Sequence, residues 1–192
     1  MKNEAIVTQT DRLILQKFDE SMAEAVHLLS IDDANRRFQS DEVFETVEDA
    51  RETIQFLAAH YDDKTAPQVY PILLKEQGCN IGHVELVPMG NGDWEIGYHI
   101  GEAFTRRGYA AEAVTAFLPV MMARWGLPYV LGVCVAENTA SRGVMEKCGF
   151  VKEFEGIGLY HGENRPICRY RFTLPREDNR PWTEPLPSKA AV

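Results

Sequence analysis

Two stretches of this 192-residue chain carry residue types and spacings that could do chemistry. The first is Arg106-Arg107-Gly108-Tyr109-Ala110-Ala111-Glu112-Ala113, a turn of small residues that runs directly into a helical pattern. Gly108 can take backbone angles closed to other residues, and small side chains at 110 and 111 let a ligand approach the main chain. The first turn of the helix offers unpaired N–H donors at the positive end of its dipole, and Arg106 and Arg107 add charge. Together these form an anion site suited to a pyrophosphate. A glycine before an alanine-rich helix is on its own an ordinary loop-to-helix junction, so the turn needs a second signal. Asn138-Thr139-Ala140-Ser141 supplies it. That stretch opens a short helix, with Asn138 or Thr139 as N-cap and Gly149 as a left-handed C-cap.

In this order, the two stretches resemble the GNAT superfamily of acetyl-CoA-dependent N-acetyltransferases. Thr10-Asp11-Arg12-Leu13-Ile14-Leu15 is similar to the opening strand of its RimJ/RimL branch, which acetylates ribosomal-protein N-termini. Ile81-Gly82-His83-Val84-Glu85-Leu86 and Glu95-Ile96-Gly97-Tyr98 are similar to the third and fourth strands. Lys147-Cys148-Gly149-Phe150 matches the end of the signature helix.

The resemblance implies a mixed α/β fold, a mostly antiparallel sheet of six or seven strands flanked by about four helices. Its fourth and fifth strands, here 93–100 and 129–135, splay apart and admit acetyl-CoA. Arg106, Arg107, Gly108, Tyr109, Ala110, Ala111, Asn138 and Ser141 are then expected to hold the cofactor. Glu95 is the expected base, taking the acceptor's proton through water. A bulge in its strand is expected to leave a backbone N–H free between Tyr98 and Ile100, where it would bond the thioester carbonyl. Many relatives place a Tyr one turn beyond the Asn-x-x-Ser segment as proton donor to the leaving thiolate. Here that position is Met145, which turns attention to Ser141. Thr105 replaces the Gln or Arg that usually opens the phosphate turn. His83, His99, Tyr160 and His161 are candidates for the acceptor side, His161 within a hairpin turn at 160–164. No metal-ligand cluster is readable.

The chemistry sets how much a base matters. Stripping a proton from an aliphatic amine of pKa ~10.4 at pH 7 costs about 4.6 kcal/mol, against about 1.1 kcal/mol for a peptide α-amine near ~7.8. Glu95 is therefore needed most for aliphatic amines.

The elements that must position these groups follow from pattern. Leu13 and Leu15 alternate with polar neighbours in a half-buried strand over 10–17. Met22, Ala25, Val26 and Leu29 recur at helical spacing. Thr46-Val47-Glu48-Asp49 resembles a capping box opening a helix with Val47, Ala50, Ile54, Leu57 and Tyr61 on one face. A meander follows over 68–75, 79–87 and 93–100, turning at Gln77-Gly78 and at 89–92. The helix over 109–124 contains Pro119, which predicts a kink or an early break. Strands are expected at 129–135, 151–155 and 167–174. Residues 1–174 form one domain, and 175–192 a polar, Pro-rich tail.

Composition bounds the rest. Hydrophobic content of 45% and charged content of 26% are globular values. A net charge of −9 argues against general nucleic-acid binding and suits a cationic acceptor. No apolar run is long enough for a membrane span, and the first residues show no apolar signal segment. Cys79, Cys134, Cys148 and Cys168 form no C-x-x-C pair and read as buried free thiols in a reducing compartment, ahead of a structural zinc site, which with the missing signal suggests a cytoplasmic protein. The expected partners are acetyl-CoA and an amine, either a protein N-terminus or a small molecule such as a polyamine, aminoglycoside or amino acid; a homodimer stays open. Two other functions compete: a non-catalytic acyl-CoA sensor, which Met145 favours, and a nucleotide-phosphate binder, which lacks the Lys-Ser/Thr that should follow the glycines.

Overall fold

The computed structural model describes residues 5–32, 38 and 43–174, so the tail expected at 175–192 lies outside the described residues. The opening stretch is a hairpin, β1 (Ile6–Gln9) and β2 (Leu13–Gln16), where one strand over 10–17 was expected. Thr10 makes the turn: its hydroxyl accepts from the Leu13 N–H at 2.9 Å, and its N–H donates to the Leu13 carbonyl. A single 3₁₀ turn leads into α1 (Ala23–Ser30). The capping box forms as expected. The Asp49 N–H donates to Thr46 Oγ1 at 3.1 Å, and the Thr46 N–H donates to Asp49 Oδ2 at 2.9 Å. It opens α2 (Val47–His60), which buries Ala50, Ile54 and Leu57.

The meander is β3 (Gln68–Leu74), β4 (Cys79–Pro88) and β5 (Trp94–Ile100). Then come α3 (Tyr109–Trp125), β6 (Val130–Val135), α4 (Thr139–Lys147), β7 (Val151–Tyr160) and β8 (Glu163–Phe172). The last two strands are longer than expected and join in a tight turn. His161 and Gly162 both take positive φ there, 47° and 79°, the type that matches the twist of a hairpin.

The eight strands form one sheet, ordered β1-β2-β3-β4-β5-β6-β8-β7. The split opening strand takes the count beyond the expected six or seven. Every neighbouring pair is antiparallel except β5 and β6. The main core lies between one face and α3, where Val114, Phe117, Leu118 and Met121 meet Leu13, Tyr70, Leu86 and Ile96. A smaller cluster joins α1 to α2 through Ala23, Ala50 and Ile54. Pro119 does not break α3, which runs on to a left-handed cap at Gly126. Pro119 and Thr115, whose carbonyl loses its partner, both face solvent, while the buried stripe holds the helix to the sheet.

One departure from regularity positions everything else. The parallel strands β5 and β6 are in register at a single pair, Glu95 opposite Leu131, and then part. This is the splay the resemblance implied.

Candidate active site

The expected bulge in β5 is absent: its ladder with β4 runs without a slip from Trp94 to Ile100. The slip lies in β4, at Ile81, in its pairing with β3. Even so, the backbone donors reach the gap. The Gly101 N–H donates to the Ile81 carbonyl and the Met89 N–H to the Asp93 carbonyl, so the odd-numbered positions of β5 turn their backbone toward β4. The even-numbered positions, Tyr98 and Ile100 among them, turn their N–H groups toward β6, which has already moved away. Parting of the strands does the work assigned to a bulge.

A cleft of about 920 Å³ passes through this gap. One wall includes Thr105, Arg106, Gly108, Tyr109, Ala110 and Ala111 from the turn into α3, and Asn138 and Ser141 from α4. Gly108 sits at φ 80° as the N-cap of α3, and Arg106 takes φ 60°, so both residues use left-handed backbone in the turn. Asn138 caps α4 by accepting the Ser141 N–H at 3.0 Å. Arg107 is a correction. It does not line the cleft; its guanidinium turns back to the Ala103 carbonyl at 3.2 Å and lies over Phe104.

Two cations that the sequence reading left without a role flank the turn. A Cβ at Gly108 would lie 3.7 Å from Lys147 Nζ and 3.8 Å from Arg12 Nη2. Lys147 reaches it from the last turn of α4. Arg12 is pinned by Glu112, by the Arg107 carbonyl at 3.2 Å, and by the face of Tyr109. The sequence did hold a signal, since both residues lie inside the motifs that carried the resemblance.

At the centre of the cleft lies Glu95. Burial lifts its carboxyl pKa to about 7, with a hydrogen bond to the Val133 backbone pulling the other way. Val133 lies two positions beyond Leu131 on β6, so its N–H faces the gap that the parting strands leave. Tyr98 crosses the same gap. Its hydroxyl lies 3.0 Å from both Ser141 Oγ and the Ser141 carbonyl. Burial holds the Tyr98 hydroxyl well above its ordinary pKa, against the opposing effect of its bond to Ser141, so it stays protonated. Met145, where a Tyr was looked for, is buried in the main core. Tyr98 had been singled out for its backbone only; that its ring bridges to Ser141 depends on the splay, which no local pattern encodes.

The rest of the cleft lining includes Glu85, Glu95, His99, Phe38, Pro67, Tyr160 and His161. His83 lies behind, its ring 5.9 Å from that of His99. Glu85 was not anticipated. It is buried and stands opposite Gly97, where a Cβ would meet its Oε1 at 2.2 Å. The four cysteines are free. Cys134 and Cys168, distant in sequence, are opposed on β6 and β8. Burial first, then Cys168, pushes the Cys134 thiol up to about 11, which keeps it protonated. Among the described residues no helix is long and apolar enough to cross a membrane.

Comparison with known proteins agrees with this geometry. YnaD, an N-acetyltransferase of Bacillus subtilis described as uncharacterized, is 29% identical over 75% of this chain and 82% of its own. The crystal structure of a GNAT-family acetyltransferase from Bacillus anthracis superposes with a TM-score of 0.74 at 26% identity, over 86% of this chain and 97% of that one. RimL, a ribosomal L7/L12 alpha-N-protein acetyltransferase solved in complex with coenzyme A, matches with a TM-score of 0.74 at 20% identity, over 88% and 98% of the two chains; at that identity the likeness is one of fold. The model of the acetyltransferase (GNAT) domain matches residues 12–151, the span holding the phosphate turn, the splayed strands and Ser141, and the chain belongs to that family of acetyltransferases.

Proposed function

We infer that the protein transfers an acetyl group from acetyl-CoA to a primary amine by direct attack in a ternary complex. The observation that carries this is the single cleft: it joins the anion-binding turn at Gly108 to the Glu95 carboxylate through the gap between β5 and β6. In this reading the N-terminus of α3, with Arg106, Lys147 and Arg12, holds the pyrophosphate. Tyr109, Ala110, Ala111 and Asn138 line the cofactor's path. The N–H groups of Tyr98 and Ile100 stabilise the oxyanion. Glu95 accepts the amine's proton, directly or through water, and a carboxyl that titrates near 7 suits that task. When the C–S bond breaks, the Ser141 hydroxyl donates a hydrogen bond to the departing thiolate, which leaves as the anion and takes its proton from solvent, and Tyr98 holds that hydroxyl in place. This pair supports turnover over a non-catalytic acyl-CoA sensor, the reading that Met145 had favoured.

The test is thiol release from acetyl-CoA with a panel of amines, including peptide N-termini and small amines. Amine-dependent release with recovery of the acetylated amine is expected. Tight acetyl-CoA binding with no release for any amine would overturn the transferase reading in favour of the sensor.

A further inference from the structure

The acceptor end of the cleft does not stop at Glu95. A second cavity of about 360 Å³ lies beneath α1 and α2 and shares Pro67, Glu85 and His99 with the main cleft, so the two adjoin at that rim. Among the described residues its walls are chiefly apolar, including Phe18, Val26, Phe44, Ile54, Leu57 and Val69. Its titratable groups lie on the sheet side, where β4 and β5 contribute His83, Glu85 and His99 beside Asn80, while the helices add only the hydroxyls of Ser30 and Thr53.

Gly97 shapes the passage between the two spaces. It lies between Glu95 and His99 on the same face of β5, and its missing side chain leaves the room that the Glu85 carboxylate occupies. Glu85 faces Gly97, and Glu95 is the diagonal neighbour on that face. The two carboxylates thus mark where an ammonium group would settle before it loses its proton. Beyond them the path turns apolar. Among the described residues the one carboxylate lining this chamber is Glu85, at the rim where the first ammonium settles, so burying a second, unpaired ammonium deeper among the apolar walls would be strongly unfavourable. An alkyl or aryl group entering the same space leaves water at a gain of about fourfold in affinity per buried methylene.

Resting on the transferase reading above, we propose that the acceptor is a primary monoamine with an apolar side chain, its nitrogen beside Glu95 and Glu85 and its side chain in the chamber beneath α1 and α2. Polyamines and aminoglycosides, which carry further charges, are disfavoured by the same walls.

Hexylamine and 1,6-hexanediamine form the decisive pair, since they match in length and differ by one terminal ammonium. With the full chain and saturating acetyl-CoA, kcat/KM for hexylamine should exceed that for the diamine at least tenfold, and phenethylamine should behave like hexylamine. Equal rates, or a preference for the diamine, would overturn the proposal while leaving acetyl transfer intact; no release with any amine would instead sink the transferase reading. Peptides beginning with Phe or Ser separate the sources of an apolar amine: a Phe peptide faster than hexylamine would replace the small molecule with a protein N-terminus and overturn the proposal as stated. Filling the chamber adds a second check. In Val69→Phe and Val26→Phe, each verified as folded by acetyl-CoA calorimetry, the hexylamine-to-ethylamine ratio of kcat/KM should fall at least tenfold. An unchanged ratio in a folded variant removes the chamber from the acceptor site.

Discussion

The two ends of the β5–β6 pair are built from the same two strands and behave as opposites. At the closed end Glu95 pairs with Leu131, and side chains bolt the strands together. The Tyr129 hydroxyl donates to Asp93 at 2.5 Å, Arg171 lies 3.9 Å over the Tyr129 ring, and Glu153 holds Arg171. Trp94 stacks on Trp125 just behind. At the open end no strand answers strand; Tyr98 reaches across to Ser141, and the Glu95 carboxylate takes up the Val133 N–H. Backbone donors that a regular sheet would consume are thereby released toward a ligand. The closed end holds the strands, and the open end leaves a cleft because of the pairing it lacks.

That contrast can be broken by substitution, and the largest effect should come at the hinge between the ends. Glu95→Gln should lower turnover of an aliphatic amine at pH 7 by about 10²- to 10⁴-fold, the range for a general base. The loss should shrink at high pH, where the amine is already neutral; an equal loss at every pH in a pH–rate profile would make Glu95 a packing residue. Stability should move the other way. The carboxyl ionises near 4.5 when unfolded and near 7 when folded. Its contribution is therefore intact below about 4.5 and lost as pH rises through 7. Glu95→Gln should leave thermal stability unchanged at pH 4 and raise it by up to about 3 kcal/mol at pH 8, as melting curves would read.

Next in size is the phosphate turn. Gly108→Glu puts a carboxylate beside Lys147 and Arg12 where a phosphate should lie, at left-handed backbone that itself costs about 1–2 kcal/mol. Calorimetry should find acetyl-CoA affinity reduced more than about a hundredfold; unchanged affinity in a folded variant would move the cofactor elsewhere. At the open end, Ser141→Ala and Tyr98→Phe should each slow the saturated rate by about tenfold to a hundredfold, with little change in acetyl-CoA affinity. Because both remove one hydroxyl pair, the double variant should be little worse than either single one. Should affinity collapse while the rate holds, Ser141 is a cofactor contact and the thiolate leaves unaided. The smallest effect belongs to the closed end. Tyr129→Phe should cost about 1 kcal/mol of stability and leave turnover alone; a fall in turnover would show that the bolts also set the gap.

How much of this was readable beforehand follows from the same contrast. Local rules produced the capping box at Thr46 and Asp49, the Gly108 turn and the Asn138 cap, because each depends on residues within a turn of one another. The hairpin at Thr10 was read as one strand because Leu13 and Leu15 alternate and the turn before them is closed by a Thr hydroxyl, without a Gly-containing turn signal. What failed depends on neighbours across strands. Glu85 meets Gly97 only in the β4–β5 register, and Tyr98 meets Ser141 only across the gap. Arg107 was assigned to phosphate by adjacency to Gly108, yet the chain direction at the turn sends its side chain back to Ala103. The bulge was implied by the resemblance alone; in this chain the parting of β5 from β6 leaves the Tyr98 and Ile100 N–H groups facing the gap.

The outer edge of the sheet raises a different concern, that of keeping the protein in solution. β7 is an edge strand of 10 residues, and among the described residues no strand pairs with its outer side. Its first half is guarded by Lys152, Glu153 and Glu155 and by an irregularity in its pairing between Lys152 and Phe154. Its second half holds Ile157 and Leu159, 66% and 71% exposed, among glycines and with no charge between Glu155 and Glu163. Protection against strand-to-strand sticking is therefore lopsided. Colloidal failure during heating or concentration should begin at residues 156–160, the uncharged half of this edge.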